Sequence, residues 1–434
     1  MALLVGTMLV LLALGVPVAF AIGTAVAVYL LLGPMLLGSS PIPPVVMAQM
    51  TASGANEFIL LAVPFFIFAG ELMNAGGITR RLIAFAEAVV GGIRGGLAYV
   101  VVLVNMIMAG VSGAAIADAA AVGSVMIPSM VRSGYRRGFA GAVNAAAATV
   151  GPVVPPSVGF IIYASVANHP SVSVGKLFLA GAIPGLILGV YMLVVCYLVA
   201  RSTDLPRAEK TSLRRVLAGL RDALFALLMP AIILGGILTG AATPTEVGVL
   251  AVAYGLFIGV VVYREIRLRD IPYLLAKSAK QTAVIMFVIA TAKAFGWLLT
   301  NMDAPEILLG AFSSISTEAW VFLAIMNVTI IVLGCFMEGG SLMIILTPLL
   351  VPVLLRYQID LIHFGVVFQL NIMIGLLTPP IGMLLYVIAG VSDVPLGEIL
   401  KELWPFLIAI LLVLVLITYV PPITLFLPGL LGGR

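Results

Sequence analysis

Charge is the scarcest commodity in this chain of 434 residues. Lys, Arg, Asp and Glu together supply 9% of it, against about 25% in a soluble domain. Apolar residues reach 62%, so a water-facing globular surface is excluded. The two histidines and the two cysteines, Cys196 and Cys335, lie on distant segments. That scarcity argues against a metal centre or a disulfide framework, because such sites need more ligands close together. No Gly-x-x-x-x-Gly-Lys-Ser/Thr run occurs, which removes the usual cradle for ATP phosphates. No Ser/His/Asp or His-rich set suggests an intramembrane enzyme, so the chain reads as a non-enzyme. Basic clusters carry no interleaved aromatics, and nucleic acid is not implied. Met1–Leu14 lacks a basic leader, so it reads as a first membrane span and not as a cleaved signal.

Apolar runs recur along the whole length. At about 20 residues per span, the chain accommodates a dozen or so membrane segments with little left over. The expected class is an all-α polytopic membrane protein. It also repeats itself. Residues 151–156 read Gly-Pro-Val-Val-Pro-Pro and residues 375–380 read Gly-Leu-Leu-Thr-Pro-Pro, 224 positions apart. Gly110 and Gly334, Pro128 and Pro352, and Gly141 and Gly365 keep that offset.

Charge placement supplies a topology. Eighteen of the 22 Lys and Arg residues fall in five groups, at Arg80–Arg94, Arg132–Arg137, Arg201–Arg221, Arg264–Lys280 and Lys401. The positive-inside rule puts these on the cytoplasmic side. Threading the spans around them makes 38–56 an extracytoplasmic loop. Residues 95–131 must leave and return to one side, and the small residues at Gly110–Asp118 suggest a re-entrant hairpin; two ordinary spans are the alternative. Residues 138–167 form a helix broken at the Pro-Pro motif. Residues 201–221 form a cytoplasmic linker, partly amphipathic helix. The second half, 222–434, repeats the plan with a hairpin at 319–355 and a broken helix at 361–393. Each half, the first being 1–200, has five crossings plus a hairpin. Five is odd, so the halves run inverted, an architecture found in secondary transporters.

The breaks carry candidate chemistry. Proline lacks an N–H and clashes with the carbonyl four residues back. Pro155 and Pro156 are thus expected to free the carbonyls of Gly151 and Pro152, and Pro379 and Pro380 those of Gly375 and Leu376. Unpaired carbonyls at membrane depth need protein, water or a cation, and sodium suits oxygen ligands; a proline-kinked helix without a ligand is the bland alternative. Ser157 and Thr378 add hydroxyls. The hairpin tips, Ser112 and Gly113 and then Gly339, Gly340 and Ser341, permit close backbone approach, and helix N-termini there attract anions. Asp118 and Glu338 are rare charges at these tips. Lys293 and Glu246 read as snorkelling residues. Asn105, Asn144, Asn327 and Asn371 lie near the breaks, each able to cap a helix or reach an ion. His169 and His363 have no visible chain of proton-relay partners.

With Gly110-Val-Ser-Gly-Ala-Ala-Ile-Ala-Asp118, Ile127-Pro-Ser-Met130, Gly134-Tyr135, Asn144 through Ser157, Thr243-Pro-Thr-Glu246, Gly334-Cys-Phe-Met-Glu338, Pro348 to Pro352, His363-Phe-Gly365 and Leu377-Thr-Pro-Pro-Ile-Gly382, the chain resembles the large membrane subunit of tripartite ATP-independent periplasmic (TRAP) transporters, the DctM-like family. The resemblance covers nearly its whole length. It implies a sodium-coupled importer of organic acids in the bacterial inner membrane. Its partners would be a periplasmic substrate-binding protein and a small four-helix, DctQ-like subunit on a separate chain. It further implies scaffold and transport domains moving as an elevator. Carried onto this sequence, the sodium ligands are Ser112, Gly113, Gly151, Pro152, Pro155, Ser157, Gly339, Gly340, Ser341, Gly375, Leu376 and Thr378. Substrate is expected at Ser112, Asp118, Asn144, Glu338, Ser341, Pro156 and Pro380. Members often carry Asp where this chain has Glu338. A stand-alone sodium/dicarboxylate symporter of the same superfamily is the alternative.

Overall fold

A computed structural model describes the chain except residues 38–41, 203–204, 206–211, 380–381 and 432–434, with only the backbone of Leu37 and Leu238. Regular structure among the described residues is entirely helical. The first half contains α1 (Ala2–Ala13), α2 (Val18–Leu37), α3 (Pro44–Ala55), α4 (Ala62–Ala75), α5 (Ile78–Val90), α6 (Gly96–Ser112), α7 (Ala115–Arg132), α8 (Arg137–Ala148), α9 (Val158–Ala167) and α10 (Val174–Ser202). The second contains α11 (Leu213–Leu238), α12 (Pro244–Leu256), α13 (Ile271–Asn301), α14 (Ala304–Ile315), α15 (Ala319–Gly334), α16 (Gly339–Arg356), α17 (Leu361–Leu377), α18 (Met383–Ser392), α19 (Leu396–Tyr419) and α20 (Pro422–Leu431). Nine helical stretches among the described residues are long and apolar enough to cross a bilayer. This is a multi-span membrane protein.

The helices pack in two groups. In one, α13 lies against α2, α3 and α4, α4 against α12, and α11 against α5 and α12. In the other, α6, α7 and α8 pack together, α8 against α19, α18 against α7, α15 against α17, and α10 against α17, α19 and α20. The groups meet where α13 touches α16 and where α4 and α5 touch α6.

Two ion pairs bracket the α4–α13 contact. Lys277 Nζ lies 2.7 Å from Glu71 Oε2 at one end, and Lys293 pairs with Glu57 at the other. The lysines are sixteen residues apart on one helix, about 24 Å of rise, and the two acids span about the same length in the opposite sense. Antiparallel register between the helices follows. Lys293, expected to snorkel, is paired with Glu57, which also accepts from Ser165 Oγ of α9 at 3.0 Å. Glu246 likewise has a local duty. It closes a capping box at the start of α12, accepting from the Thr243 N–H at 2.7 Å while Thr243 Oγ1 accepts from the Glu246 N–H.

Two stretches differ from expectation. Residues 44–55, expected within a loop, form α3. Ser and Gly in that stretch argue for a loop, but Gly54 lets the helix lie directly on α13: a Cβ there would stand 2.9 Å from Lys293 Cβ and 3.1 Å from Ala290 Cα. Tertiary contact overrides the local preference. In the stretch 201–221, helix α10 continues to Ser202. From Leu213 the residues are the first turns of the long α11, whose N-cap Ser212 accepts from the Arg215 N–H. Residues 203–204 and 206–211 lie outside the described residues.

Candidate functional site

Helices α6 and α7 are joined by Gly113 and Ala114 alone. Gly113 has φ +60°, which an L side chain rarely adopts, and a Cβ on it would stand 2.3 Å from the Pro156 carbonyl oxygen. The tip of the first helix pair thus rests on the proline break between α8 and α9. Asp118, in the first turn of α7, points the same way. Its Oδ1 accepts from Ser112 Oγ at 2.5 Å. Its Oδ2 is buried with no hydrogen-bond partner, and a Cβ on Gly151 would stand 2.8 Å from it. Ser112, Gly113, Asp118, Gly151, Pro156 and Ser157 are brought into one buried cluster. Pro155 is buried in the same break, and its peptide bond to Pro156 is cis.

In the second half a helix end also meets a break, through other residues and in a more open form. A Cβ on Gly375, before the second break, would lie 2.7 Å from the Gly334 backbone at the end of α15. Gly339 packs so tightly on Ile372 of α17 that a Cβ would approach its Cγ2 to 2.1 Å. Glu338 caps α16: its carboxylate accepts from the Gly340 N–H at 2.9 Å, and from the Ser341 N–H at 2.8 Å and hydroxyl at 3.1 Å. Glu338 and Pro379 are exposed and Thr378 half-buried, whereas Asp118, Ser157 and Pro155 around the first break are buried. Pro380 lies outside the described residues. Among the described residues, no hydrogen bond links the first cluster to the second.

Three points depart from the expected chemistry. The Pro152 carbonyl is not orphaned, since it accepts from Ser157 Oγ at 2.6 Å, and that hydroxyl in turn caps α9 by accepting from the Phe160 N–H. The Gly375 carbonyl accepts from the Thr378 N–H at 3.1 Å, a tight last turn of the kind that closes helix ends, and Thr378 Oγ1 donates to the Ile374 carbonyl at 2.7 Å. The N–H groups at the second tip are occupied by the chain's own carboxylate, so they do not await an anion. Both acids stand at helix N-termini, Asp118 in the first turn of α7 and Glu338 at the N-cap of α16, where the positive helix end favours a negative side chain.

Asn144 lies two turns below Gly151 on α8 and donates to the Ala119 carbonyl at 2.9 Å. His363 is held between Thr424 Oγ1 at 2.8 Å and the Thr418 carbonyl at 3.2 Å, a structural role. Glu57, unremarked in the sequence, joins Lys293 and Ser165 beside a cavity of about 290 Å³ lined by α9, α13 and α16. Gln369 Oε1 and Thr347 Oγ1 are buried without partners among the described residues. An amide inside the apolar run of α17, two residues before Asn371, was the available signal for Gln369.

Comparison with known proteins accounts for this arrangement. The family model described as "Tripartite ATP-independent periplasmic transporter, DctM component" matches residues 5–423. The C4-dicarboxylate TRAP transporter large permease protein DctM of Pseudomonas aeruginosa is 42% identical, covering 87% of this chain and 88% of that one. The sialic acid TRAP transporter large permease protein SiaM of Vibrio cholerae is 39% identical, over 89% and 90%. The 2,3-diketo-L-gulonate TRAP transporter large permease protein YiaN of Escherichia coli is 36% identical, over 87% and 88%. In fold, the chain is similar to the Alcanivorax borkumensis YdaH transporter, with a TM-score of 0.60 at 15% identity over 86% of each chain. The Neisseria gonorrhoeae MtrF structure gives a TM-score of 0.60 at 12% identity, covering 86% and 82%. The DctM, SiaM and YiaN relatives are permease proteins and not enzymes, and the chain belongs to the DctM family of TRAP transporter large permease proteins.

Proposed function

We propose that this subunit imports an organic acid, of the C4-dicarboxylate or sugar-acid class carried by its relatives, by coupling its movement to sodium. The observation that carries the reading is Asp118. Its Oδ2 is buried and unpartnered at a helix break inside a membrane protein. An ionised carboxylate held without a partner at such depth is costly, and a sodium ion between Asp118, Ser112 and the Gly151 backbone would relieve that cost. The second tip, with Glu338, Ser341 and Thr378, supplies a more open and weaker ion site. Substrate binds beside these ions and not on bare helix N-termini, because Glu338 already occupies the amides of Gly340 and Ser341.

In this reading the two halves are inverted repeats. The group built on α4, α12 and α13 is the scaffold, and the group holding both tips and both breaks is the transport domain. That domain shifts as a body in an elevator movement. The subunit sits in the bacterial inner membrane with the 201–221 linker on the cytoplasmic side. A DctQ-like small subunit completes the permease and a periplasmic binding protein delivers the substrate.

The test is uptake into proteoliposomes carrying the permease, its small subunit and its cognate binding protein. An inward sodium gradient is expected to drive accumulation and an equal potassium gradient is not; equal uptake under both would overturn sodium coupling. Full uptake of free substrate without the binding protein would favour a stand-alone symporter instead.

A further inference from the structure

Four buried asparagines form two pairs, one in each half, of which only Asn144 belongs to the expected substrate set. In the first half, Asn105 Nδ2 on α6 donates to Asn144 Oδ1 on α8 at 3.5 Å. In the second, Asn371 Nδ2 on α17 donates to Asn327 Oδ1 on α15 at 2.8 Å. Each pair joins the first arm of a helix pair to the first segment of the broken helix beside it. Asn105 and Asn371 each also donate to the carbonyl one turn back, Val101 and Val367. Each retains an amide oxygen without a partner. A third element is tied in each time: Asn144 donates to the Ala119 carbonyl of α7, and Asn327 to Thr418 Oγ1 of α19.

The spacing is the informative part. Asn105 precedes Ser112 by seven residues, and Asn144 precedes Gly151 by seven. Asn327 precedes Gly334 by seven, and Asn371 precedes Thr378 by seven. Seven residues are two helical turns, about 10 Å. In the first half, then, the amide bond ties α6 and α8 two turns below Ser112 and Gly151; in the second it ties α15 and α17 two turns below Gly334 and about one turn below Gly375. A polar pair within apolar helix packing fixes register, since sliding by one turn would strand both amides in apolar surroundings.

We propose that Asn105–Asn144 and Asn327–Asn371 are register clamps. They are positioning residues that hold each helix-pair tip at a set height against its break, and so set the strength of the ion site there. This rests on the sodium reading above. This moves Asn144 from the expected substrate set to a positioning role, because its amide is taken up by Asn105 Nδ2 and the Ala119 carbonyl.

The test uses N105L/N144L and N327L/N371L, because replacing both partners with apolar groups of similar shape is close to neutral for folding. Purified wild type and variants are titrated with sodium chloride against choline chloride and followed by thermal unfolding. Backbone hydrogen exchange of segments 108–118 and 331–341 is measured in parallel. The expected result is a melting temperature without sodium close to wild type, a sodium midpoint raised roughly tenfold, and faster exchange at the tip of the altered half. The second-half variant is expected to show the larger shift, since its bond is shorter. A lowered melting temperature with unchanged sodium midpoint and unchanged tip exchange would mean ordinary packing and would overturn the clamp. Should wild type show no sodium-dependent stabilisation, the ion reading fails on its own. The exchange data then decide the clamp, for it requires faster tip exchange in the variants with or without sodium.

Discussion

Asp118 is the residue on which the site turns. It is the only carboxylate with no solvent exposure among the described residues, and one of its oxygens has no donor. Asp118→Asn keeps an oxygen for Ser112 and removes the charge. The sodium concentration for half-maximal stabilisation is expected to rise by roughly tenfold or more, because a nearby opposite charge at low dielectric contributes over 1 kcal/mol. Titration of the purified variant checks this, and a midpoint equal to wild type would remove Asp118 from the site. Glu338 does a different job. As an N-cap it satisfies two helix N–H groups, and Glu338→Ala is expected to cost about 1 kcal/mol of stability, read as a fall in melting temperature. Triple loss of Asp118, Ser112 and Ser341 with transport retained would contradict the assignment of both tips.

At the scale of elements, the decisive contacts are helix ends pressed against helix breaks. Gly113→Ala places a Cβ 2.3 Å from the Pro156 carbonyl at a backbone φ of +60°. About 1–3 kcal/mol of strain is expected, with weakened sodium binding, whereas Ala at Gly235, with open space around it, serves as the control. The contact between α4 and α13 has its own test. Glu57→Gln and Lys293→Met each leave a half-buried charge alone and are expected to cost about 1 kcal/mol. The double variant should cost less than their sum, which a double-mutant cycle in thermal unfolding measures. Helix breaks at Gly113, Pro155–Pro156 and Pro379 were legible because proline and glycine act through their own backbones. Helix α3 was not, since it forms against Ala290 and Lys293, far away in sequence. The four asparagines were visible as polar residues in apolar runs, but their partners lie 39 and 44 positions away, and no local pattern connects them. The bond from Ser157 to the Pro152 carbonyl is short-range, yet it depends on how the chain turns inside the break.

For the whole molecule, the expectation is directional transport. Reversing the sodium gradient in loaded vesicles should reverse net flux, and collapsing it should stop accumulation; accumulation that survives collapse would point to another energy source. Composition alone determined that this protein lives in a membrane, because 9% charge cannot cover a surface in water. The Gly-x-x-x-Pro-Pro motif, repeated at a constant offset, determined where α8 and α17 stop, because paired prolines remove hydrogen bonds there, whereas Pro128 and Pro352, at the same offset, lie inside α7 and α16. What only the tertiary structure decided is which freed groups remain free. The Pro152 and Gly375 carbonyls found donors and the amides at the second tip found Glu338, while one oxygen of Asp118 found none. Hydrogen-bond satisfaction is a property of three-dimensional neighbours, and the proposed site is centred on a charged group left unsatisfied.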